Sequence, residues 1–165
     1  MTIILGVDPG SRITGYGLIK LDGTKYHFLD CGIIKTDVND IAQRCRQIFI
    51  GLQDVISEFN PDESGVEQVF MNTNANSALK LGQARGAALA AIATNNILVA
   101  EYTPRRIKQA VVGYGAADKQ QIQHMIKLLL NLQEMPATDA ADALAVALCH
   151  ANSRGIKKYD SHASW

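Results

Sequence analysis

The first third of the chain contains short apolar runs separated by turn residues. Residues 3–7 are apolar and are followed by Asp-Pro-Gly at 8–10, which is typical of a buried strand that ends in a turn. Two further β-rich runs, 14–21 and 26–35, flank the dipeptide Asp22-Gly23, and this pattern predicts a hairpin. The chain is therefore expected to begin with three strands.

Helical spacing begins after residue 40. Asp40 precedes apolar residues at three- and four-residue spacing, which predicts an N-cap and a helix of about five turns that is stopped by Pro61. The pattern also predicts strands at 65–70 and 97–102, and helices at 77–94, from Pro104, at 118–132 and at 138–153 with Thr138 as N-cap.

This order of elements predicts the fold class. It indicates one α/β domain, residues 1–153, on a mixed sheet that is antiparallel at the start and parallel later. Residues 154–165 lack apolar periodicity and are expected to form a flexible tail.

Two glycines stand out in the predicted helix 77–94. Gly82 and Gly86 lie one turn apart, although glycine inside a helix costs about 1 kcal/mol relative to alanine. The pair suggests close backbone packing, either against the sheet or against a second copy of the chain.

Composition excludes several classes of protein. The 165 residues suffice for one domain, and 47% hydrophobic with 19% charged residues is typical of neither a disordered chain nor a coiled coil. No apolar run approaches the roughly 20 residues that span a bilayer, and no secretory signal pattern opens the chain. Because the three cysteines show no metal-binding spacing, we expect reduced thiols and a cytoplasmic protein.

The charge balance is informative only by segment. Sixteen basic and sixteen acidic residues give a net charge of zero, which normally argues against a nucleic-acid partner. Residues 1–67 hold six basic and ten acidic residues, whereas residues 68–133 hold seven basic and two acidic ones. Because folding mixes segments on the surface, an ordinary solvated surface remains open as an explanation.

Two carboxylates lie in or at the end of apolar strands. Asp8 ends the first predicted strand, and Glu67 interrupts the fourth, where a buried carboxylate is costly unless it is paired or bound to a cation. Each has a simpler explanation, since Asp-Pro-Gly is common turn chemistry and Glu67 could face solvent on a one-sided strand.

A second pair of carboxylates opens the last predicted helix. Asp139 and Asp142 are spaced i, i+3 and so share one face of its first turn. Acidic residues are favoured at any helix N-terminus, but small apolar residues surround these two, as on a buried helix.

A cluster of these four carboxylates would need cations. At about 5 Å each pair would repel by roughly 3 kcal/mol at an effective dielectric constant near 20. Hard oxygen ligands select Mg²⁺ or Mn²⁺, and two such ions can activate a water and stabilise a leaving phosphoester oxygen. The best physical interpretation of Asp8, Glu67, Asp139 and Asp142 is two-metal phosphodiester hydrolysis.

Five blocks of sequence closely resemble the RuvC family, the bacterial crossover (Holliday) junction endodeoxyribonucleases. The blocks are 6–17 (GVDPGSRITGYG), 67–70 (EQVF), 77–86 (SALKLGQARG), 108–113 (KQAVVG) and 139–145 (DAADALA). The resemblance runs from about residue 3 to residue 152 without a long gap.

The resemblance implies a fold and an activity. The fold is ribonuclease-H-like, with a five-stranded mixed sheet flanked by helices. The activity is resolution of four-way DNA junctions in homologous recombination and repair, by a homodimer whose subunits nick two opposed strands. Two Mg²⁺ per subunit are implied, with Mn²⁺ as a substitute, and the RuvA–RuvB branch-migration complex is an expected partner.

The resemblance also implies residue roles. The catalytic and metal-binding acids of the family fall on Asp8, Glu67, Asp139 and Asp142. Some relatives carry His at the fourth position. This chain has Asp142 there, so a His general base is not available. Lys108 and Lys119 match lysines that approach the DNA backbone, and Phe70 matches an aromatic residue at the junction centre. On spacing alone, solvated helix charges are the favoured explanation for the two lysines, and a residue such as Phe70 is more often part of a core.

Two other functions compete with this one. An actin-like or sugar-kinase-like ATPase also begins with Asp-x-Gly on a strand, but it needs two lobes and far more than 165 residues. A junction-binding scaffold without catalysis is the second, and the presence of all four acids argues against it.

Overall fold

The fold is described by a computed structural model for residues 1–69 and 74–154. Within these residues the elements are β1 Thr2–Asp8, β2 Ile13–Asp22, β3 Lys25–Lys35, α1 Ile41–Phe59, β4 Glu63–Glu67, α2 Ala75–Ala93, β5 Leu98–Tyr102, α3 Pro104–Val112, α4 Lys119–Leu129 and α5 Thr138–Ser153.

The strands form one mixed sheet in the order β3-β2-β1-β4-β5. Strands β1 to β3 pair antiparallel, whereas β4 pairs parallel with β1 on one side and with β5 on the other. The β2–β3 turn contains Gly23 at φ 59°, a left-handed conformation that glycine adopts without strain. The predicted five-stranded mixed sheet is confirmed.

Helices cover both faces of this sheet. Successive residues of β1 point to opposite faces, so that Ile4 joins a core with α3, α4 and α5, while Leu5 joins a core with α1 and α2. Because both faces are buried, β1 is an almost continuous apolar run, and its last residue is the polar Asp8.

Side-chain caps fix the starts of the first four helices, α1 to α4. The Asp40 carboxylate accepts the Gln43 amide N–H at 2.8 Å and begins α1, as predicted. Asp118 and Gln121 form a reciprocal capping box that begins α4. Helix α1 ends at Phe59 because Asn60 takes a left-handed conformation, φ 48°, immediately before Pro61.

The predicted fourth strand, 65–70, is shifted in the structure. Strand β4 begins two residues earlier because Glu63 pairs with Ile4 of β1 and with Leu98 of β5. It ends at Glu67, in line with the end of β1 at Asp8. The strand therefore lies almost entirely within the span of β1.

Three helix boundaries also differ from the prediction. Helix α2 begins at Ala75 and not at residue 77, because the Asn74 side chain caps it by accepting the N–H groups of Asn76 and Ser77. Helix α4 ends at Leu129 and not at residue 132. Thr138 is not the N-cap of α5: that position is Ala137, and no side chain caps the helix.

The glycines of α2 do not pack against the sheet. Cβ atoms placed on Gly82 and Gly86 would meet nothing within 4 Å in the described part of the chain, and both residues are exposed. Ala84 and Ala88 supply the buried face of this helix instead. Packing of the glycines against the sheet was one of the two predicted possibilities, and it is wrong.

Two expectations from composition are met in the described ranges. No helix among these residues combines the length and apolar character needed to cross a bilayer. Cys31, Cys45 and Cys149 are free thiols.

Candidate active site

The candidate site lies where two parallel strands end side by side. Strands β1 and β4 run parallel, with Val7 opposite Val66, so their next residues carry Asp8 and Glu67 to the same edge of the sheet. The carboxyl ends of parallel strands are the usual position of ligand sites in such sheets. Both predicted strand carboxylates therefore meet, as expected.

Glycines in the sheet let α5 approach the same edge. A Cβ on Gly15, which pairs with Asp8, would lie 2.0 Å from the Asp139 carbonyl oxygen, and one on Gly6 would lie 2.1 Å from the Ala143 carbonyl oxygen. No larger residue fits between the strands and this helix. The contact places the first turn of α5, with Asp139 and Asp142, beside Asp8.

The carboxyl groups of Asp8 and Glu67 are hydrogen-bonded to each other. Burial, together with the charge and hydrogen bond of Glu67 and the charges of Asp142 and Asp139, raises the pKa of Asp8 to about 8. The protonated Asp8 carboxyl group donates to the Glu67 carboxylate, since this bond raises the pKa of Asp8 and lowers that of Glu67.

The pKa values of Glu67 and Asp142 shift in the same direction as that of Asp8. Burial raises the pKa of Glu67 and of Asp142, and the positive charges of Lys119 and Lys108 only partly offset this. The negative charge of Asp139 contributes to raising the pKa of Asp8 and of Asp142.

Lysines from two helices face the carboxylates. The Lys119 ammonium lies 3.6 Å from an Asp142 carboxylate oxygen, and 72% of its side chain is exposed, so this ion pair adds little stability. Lys108 and Lys119 line the same cavity of about 390 Å³ as Asp8, Glu67 and Asp142. Both lysines are thus beside the acids, as a role in phosphate binding requires.

The carboxylates do not form a preorganised metal site in the described part of the chain. Within residues 1–69 and 74–154, no three His, Cys, Asp or Glu side chains are arranged closely enough to form a ready metal site. Repulsion among the carboxylates and the ion pair of Asp142 with Lys119 both oppose a closer approach. The hydrogen-bonded pair Asp8–Glu67 is the compact part of the group.

Sequence reasoning missed some residues of this cavity. Gln68 and Leu81 also line it. The backbone of Gln68 is held in place because its main-chain N–H donates to the Tyr102 carbonyl oxygen at 2.8 Å. The position of Gln68 directly after Glu67 could have indicated it, whereas nothing in the sequence brings Leu81 of α2 to this edge. Phe70, predicted to contact DNA, lies outside the described residues.

Comparisons with known proteins give one family. The family model described as crossover junction endodeoxyribonuclease RuvC matches residues 4–150. The chain is 56% identical over 155 residues to the crossover junction endodeoxyribonuclease RuvC of Acinetobacter baumannii, covering 94% of this chain and 86% of that protein. The RuvC of Histophilus somni is 54% identical over 153 residues, covering 93% and 81%.

A solved structure agrees with these relatives. The RuvC of Thermus thermophilus in complex with a Holliday junction substrate superimposes with a TM-score of 0.88 at 32% identity, covering 95% of this chain and 97% of that one. The ribonuclease-H-like fold predicted from the resemblance is confirmed, and the comparisons give no support to the ATPase alternative.

Proposed function

The chain belongs to the RuvC family of crossover junction endodeoxyribonucleases, and we propose that it resolves four-way DNA junctions in recombination and repair. It would nick two opposed strands symmetrically, leaving ends that a ligase can seal. The observation that supports this most is the convergence of Asp8, Glu67 and Asp142 in one cavity with Lys108 and Lys119. The junction complex of the Thermus thermophilus relative favours the same substrate.

The donor set fits a hard divalent cation. Carboxylate oxygens are the ligands that Mg²⁺ and Mn²⁺ prefer, and neither His nor Cys is among the residues that line the cavity in the described chain. Burial, and after it repulsion among the carboxylates, raises the pKa of Asp8, Glu67 and Asp142, and a bound cation would offset both effects. We propose that these three residues and Asp139 hold two Mg²⁺ ions, for which Mn²⁺ can substitute.

Bound Mg²⁺ would supply Lewis acidity toward the attacking water and the departing 3′ oxygen of the phosphodiester. The protein's own side chains have separate tasks. Lys108 and Lys119 attract the phosphate backbone and partly balance the negative charge of the carboxylates. The close packing of α5 against Gly15 fixes the positions of Asp139 and Asp142. Phe70, next to the site in sequence, is proposed to contact the opened junction centre.

Paired nicks require two active sites. We propose a homodimer that uses the Gly82/Gly86 face of α2, because this face is exposed and offers room for the close approach of a second backbone. The RuvA–RuvB branch-migration complex is the proposed partner of this dimer, and the cytoplasm its location. Residues 1–153 are proposed to be a single domain, and the tail predicted after them lies outside the described residues from 155 onward.

The test of this function uses a synthetic four-way junction and a linear duplex of the same sequence. Each is incubated with the protein in Mg²⁺ or in EDTA. The proposal predicts paired symmetric nicks in the junction with Mg²⁺ and none in the other three mixtures. Equal cutting of the linear duplex would contradict junction selectivity, and cleavage in EDTA would contradict the metal requirement.

A further inference from the structure

A second polar cavity lies beside the active site and shares no lining residue with it. The cavity has a volume of about 550 Å³ and is formed by the loop after β1 and by the first turns of α1 and α2. We call it the basic cavity, and the residues that matter for its chemistry are Ser11, Arg12, Arg44, Ser77 and Lys80. None of these five has been given a role above.

The basic cavity carries positive charge without a counter-ion. Arg12, Arg44 and Lys80 line it, no acidic residue does, and no ion pair joins these three cations to a carboxylate in the described chain. Arg85, about one turn further along α2, is different because it forms a 2.6 Å salt bridge with Glu101. The uncompensated charge is thus a property of the cavity and not of every basic residue on this helix.

Arg44 is the strongest indication that an anion belongs here. Only 9% of this residue is exposed, and the one hydrogen bond of its side chain in the described structure runs from Nη2 to the Val38 carbonyl oxygen at 2.8 Å. Its buried Nε has no hydrogen-bond partner there. A buried cation with an unused donor is unfavourable on its own, and a bound anion would supply the missing charge.

The wall formed by the loop after β1 is held in place before any ligand arrives. The buried Thr36 hydroxyl donates to the carbonyl oxygens of Ser11 at 3.0 Å and Arg12 at 3.2 Å, and the Thr36 amide N–H donates to Arg12 at 2.9 Å. At the α2 wall, Asn74 already accepts the N–H groups of Asn76 and Ser77. Recognition in the cavity therefore rests on side chains and not on the helix N-terminus.

We propose that the basic cavity binds a phosphate group, and specifically a backbone phosphate of the DNA strand that passes through the active site. The two cavities are adjacent along the chain, since Asp8 and Arg12 are four residues apart and Leu81 and Lys80 are neighbours. Four residues span at most about 14 Å, which corresponds to roughly four nucleotides of one strand. This inference rests on the proposed function, and it adds a phosphate site outside the metal-binding carboxylates.

The test compares Arg12→Gln and Lys80→Gln with Arg46→Gln. Arg46 is exposed, lies on α1 and does not line the cavity, so the control removes the same charge from the same region. Junction dissociation constants are measured in EDTA over a range of salt concentrations. Loss of one phosphate contact is expected to weaken binding by about tenfold at low salt and to reduce the slope of log K against log salt by about 0.9, with little change for Arg46→Gln.

Arg44→Gln is tested in the same way after its unfolding transition is measured. If this buried substitution prevents folding, the two exposed variants still decide the question. Equal behaviour of Arg12→Gln, Lys80→Gln and Arg46→Gln would overturn the proposal. A wild-type protein that fails to bind junctions at all would instead contradict the proposed function.

Inorganic phosphate distinguishes a DNA phosphate from a free anion. The DNA proposal predicts that phosphate competes weakly for the cavity and that junction affinity falls in both exposed variants. If phosphate raises the melting temperature of the wild type but not of Arg12→Gln, while both bind junctions equally, the cavity is a free-anion site and the DNA proposal is wrong.

Discussion

The two ends of β4 carry the same side chain in opposite electrostatic environments. Glu63 begins the strand and Glu67 ends it. Burial raises the pKa of Glu63, but the hydrogen bonds and charges of Arg154 and His150 outweigh burial and bring it below its ordinary value. Burial also raises the pKa of Glu67, and the groups that lower this pKa do not outweigh burial, so it stays above its ordinary value.

At the Glu63 end, both carboxylate oxygens have hydrogen-bond partners. Arg154 donates through Nε and Nη2 to the two Glu63 carboxylate oxygens at 2.7 and 2.6 Å, and His150 Nε2 lies 2.8 Å from Glu63 Oε2. The other ring nitrogen of His150 is 2.9 Å from the Tyr102 hydroxyl oxygen. Opposite charges therefore fix the carboxyl-terminal turn of α5 to the start of β4.

The Glu67 end places like charges together. Its nearest hydrogen-bond partner is another carboxyl group, Asp8, and the nearby lysines only partly balance the cluster. Opposite charges at one end stabilise the fold, whereas uncompensated carboxylates at the other end favour binding of a cation. A carboxylate in this fold can thus be assigned to structure or to chemistry by its partners and not by its burial.

The largest expected effect separates the two glutamates by activity. Glu67→Gln should lower the rate of junction cleavage in Mg²⁺ by about 10³-fold or more, because it removes a proposed metal ligand. Glu63→Gln is the matched control on the same strand and should retain cleavage within a few-fold at a temperature where it is folded. Single-turnover cleavage rates check this, and similar losses in both variants would remove the distinction.

The second prediction concerns the pH dependence of stability without metal. Because the folded-state pKa of Asp8 is raised from 3.8 to about 8, its stabilising contribution is complete below about pH 4 and is lost as the pH rises toward 8. In EDTA, the wild type should lose roughly 5 kcal/mol across this range through Asp8, and Asp8→Asn should lose less. Urea unfolding at pH 5 and pH 8.5 measures both, and parallel pH profiles would contradict the assignment.

The third prediction concerns Glu63, whose contribution to stability depends on pH in the opposite direction to that of Asp8. Glu63→Gln should lower the free energy of unfolding at pH 7 by about 2 kcal/mol, because Arg154 and His150 lose a charged acceptor. Because the folded-state pKa of Glu63 is below 4.5, the stabilisation is present above about pH 4.5 and is lost as the pH falls through the folded-state value.

The difference in free energy of unfolding between the wild type and Glu63→Gln should therefore become smaller at acidic pH. Asp54→Asn, an exposed substitution on α1, is the control and should change stability by less than about 0.5 kcal/mol. A deficit for Glu63→Gln that persists unchanged at pH 3 would show that its effect is not electrostatic.

The smallest expected effect is the stabilisation by Mg²⁺. At a concentration ten times its dissociation constant, a bound ion adds about 1.4 kcal/mol to the free energy of unfolding. The wild type and Glu63→Gln should both melt at a higher temperature in Mg²⁺ than in EDTA, whereas Glu67→Gln should show a reduced shift. Differential scanning calorimetry measures this, and equal shifts in all three proteins would place the cation elsewhere.

Local patterns predicted the elements of the fold well. The Asp22-Gly23 turn and the Asp40 cap depend on neighbours within a few residues, and both were identified from the sequence. Thr138 was misplaced because the presence of a capping residue type does not fix the backbone conformation that a cap needs. Errors at element boundaries reach three residues, as at the end of α4, and leave the topology intact.

Long-range contacts could not be predicted in this way. Sequence identified Asp8 and Glu67 as unusual strand residues, but the close approach of α5 depends on glycines in β1 and β2 that meet a helix more than 120 residues away. The partnership of Glu63 with Arg154 joins residues 91 positions apart, and no periodicity in the sequence indicates it. The burial of Arg44 likewise became visible only in the folded chain.

The most direct test of the account measures cleavage and binding in one Asp8→Asn preparation. The carboxylate cavity is proposed to cut DNA, while junction affinity comes from basic residues, so cleavage in Mg²⁺ should be abolished. The dissociation constant for the junction in EDTA should stay within about twofold of the wild-type value. A loss of binding in proportion to cleavage would show that Asp8 maintains the structure, and continued cleavage would show that the chemistry lies elsewhere.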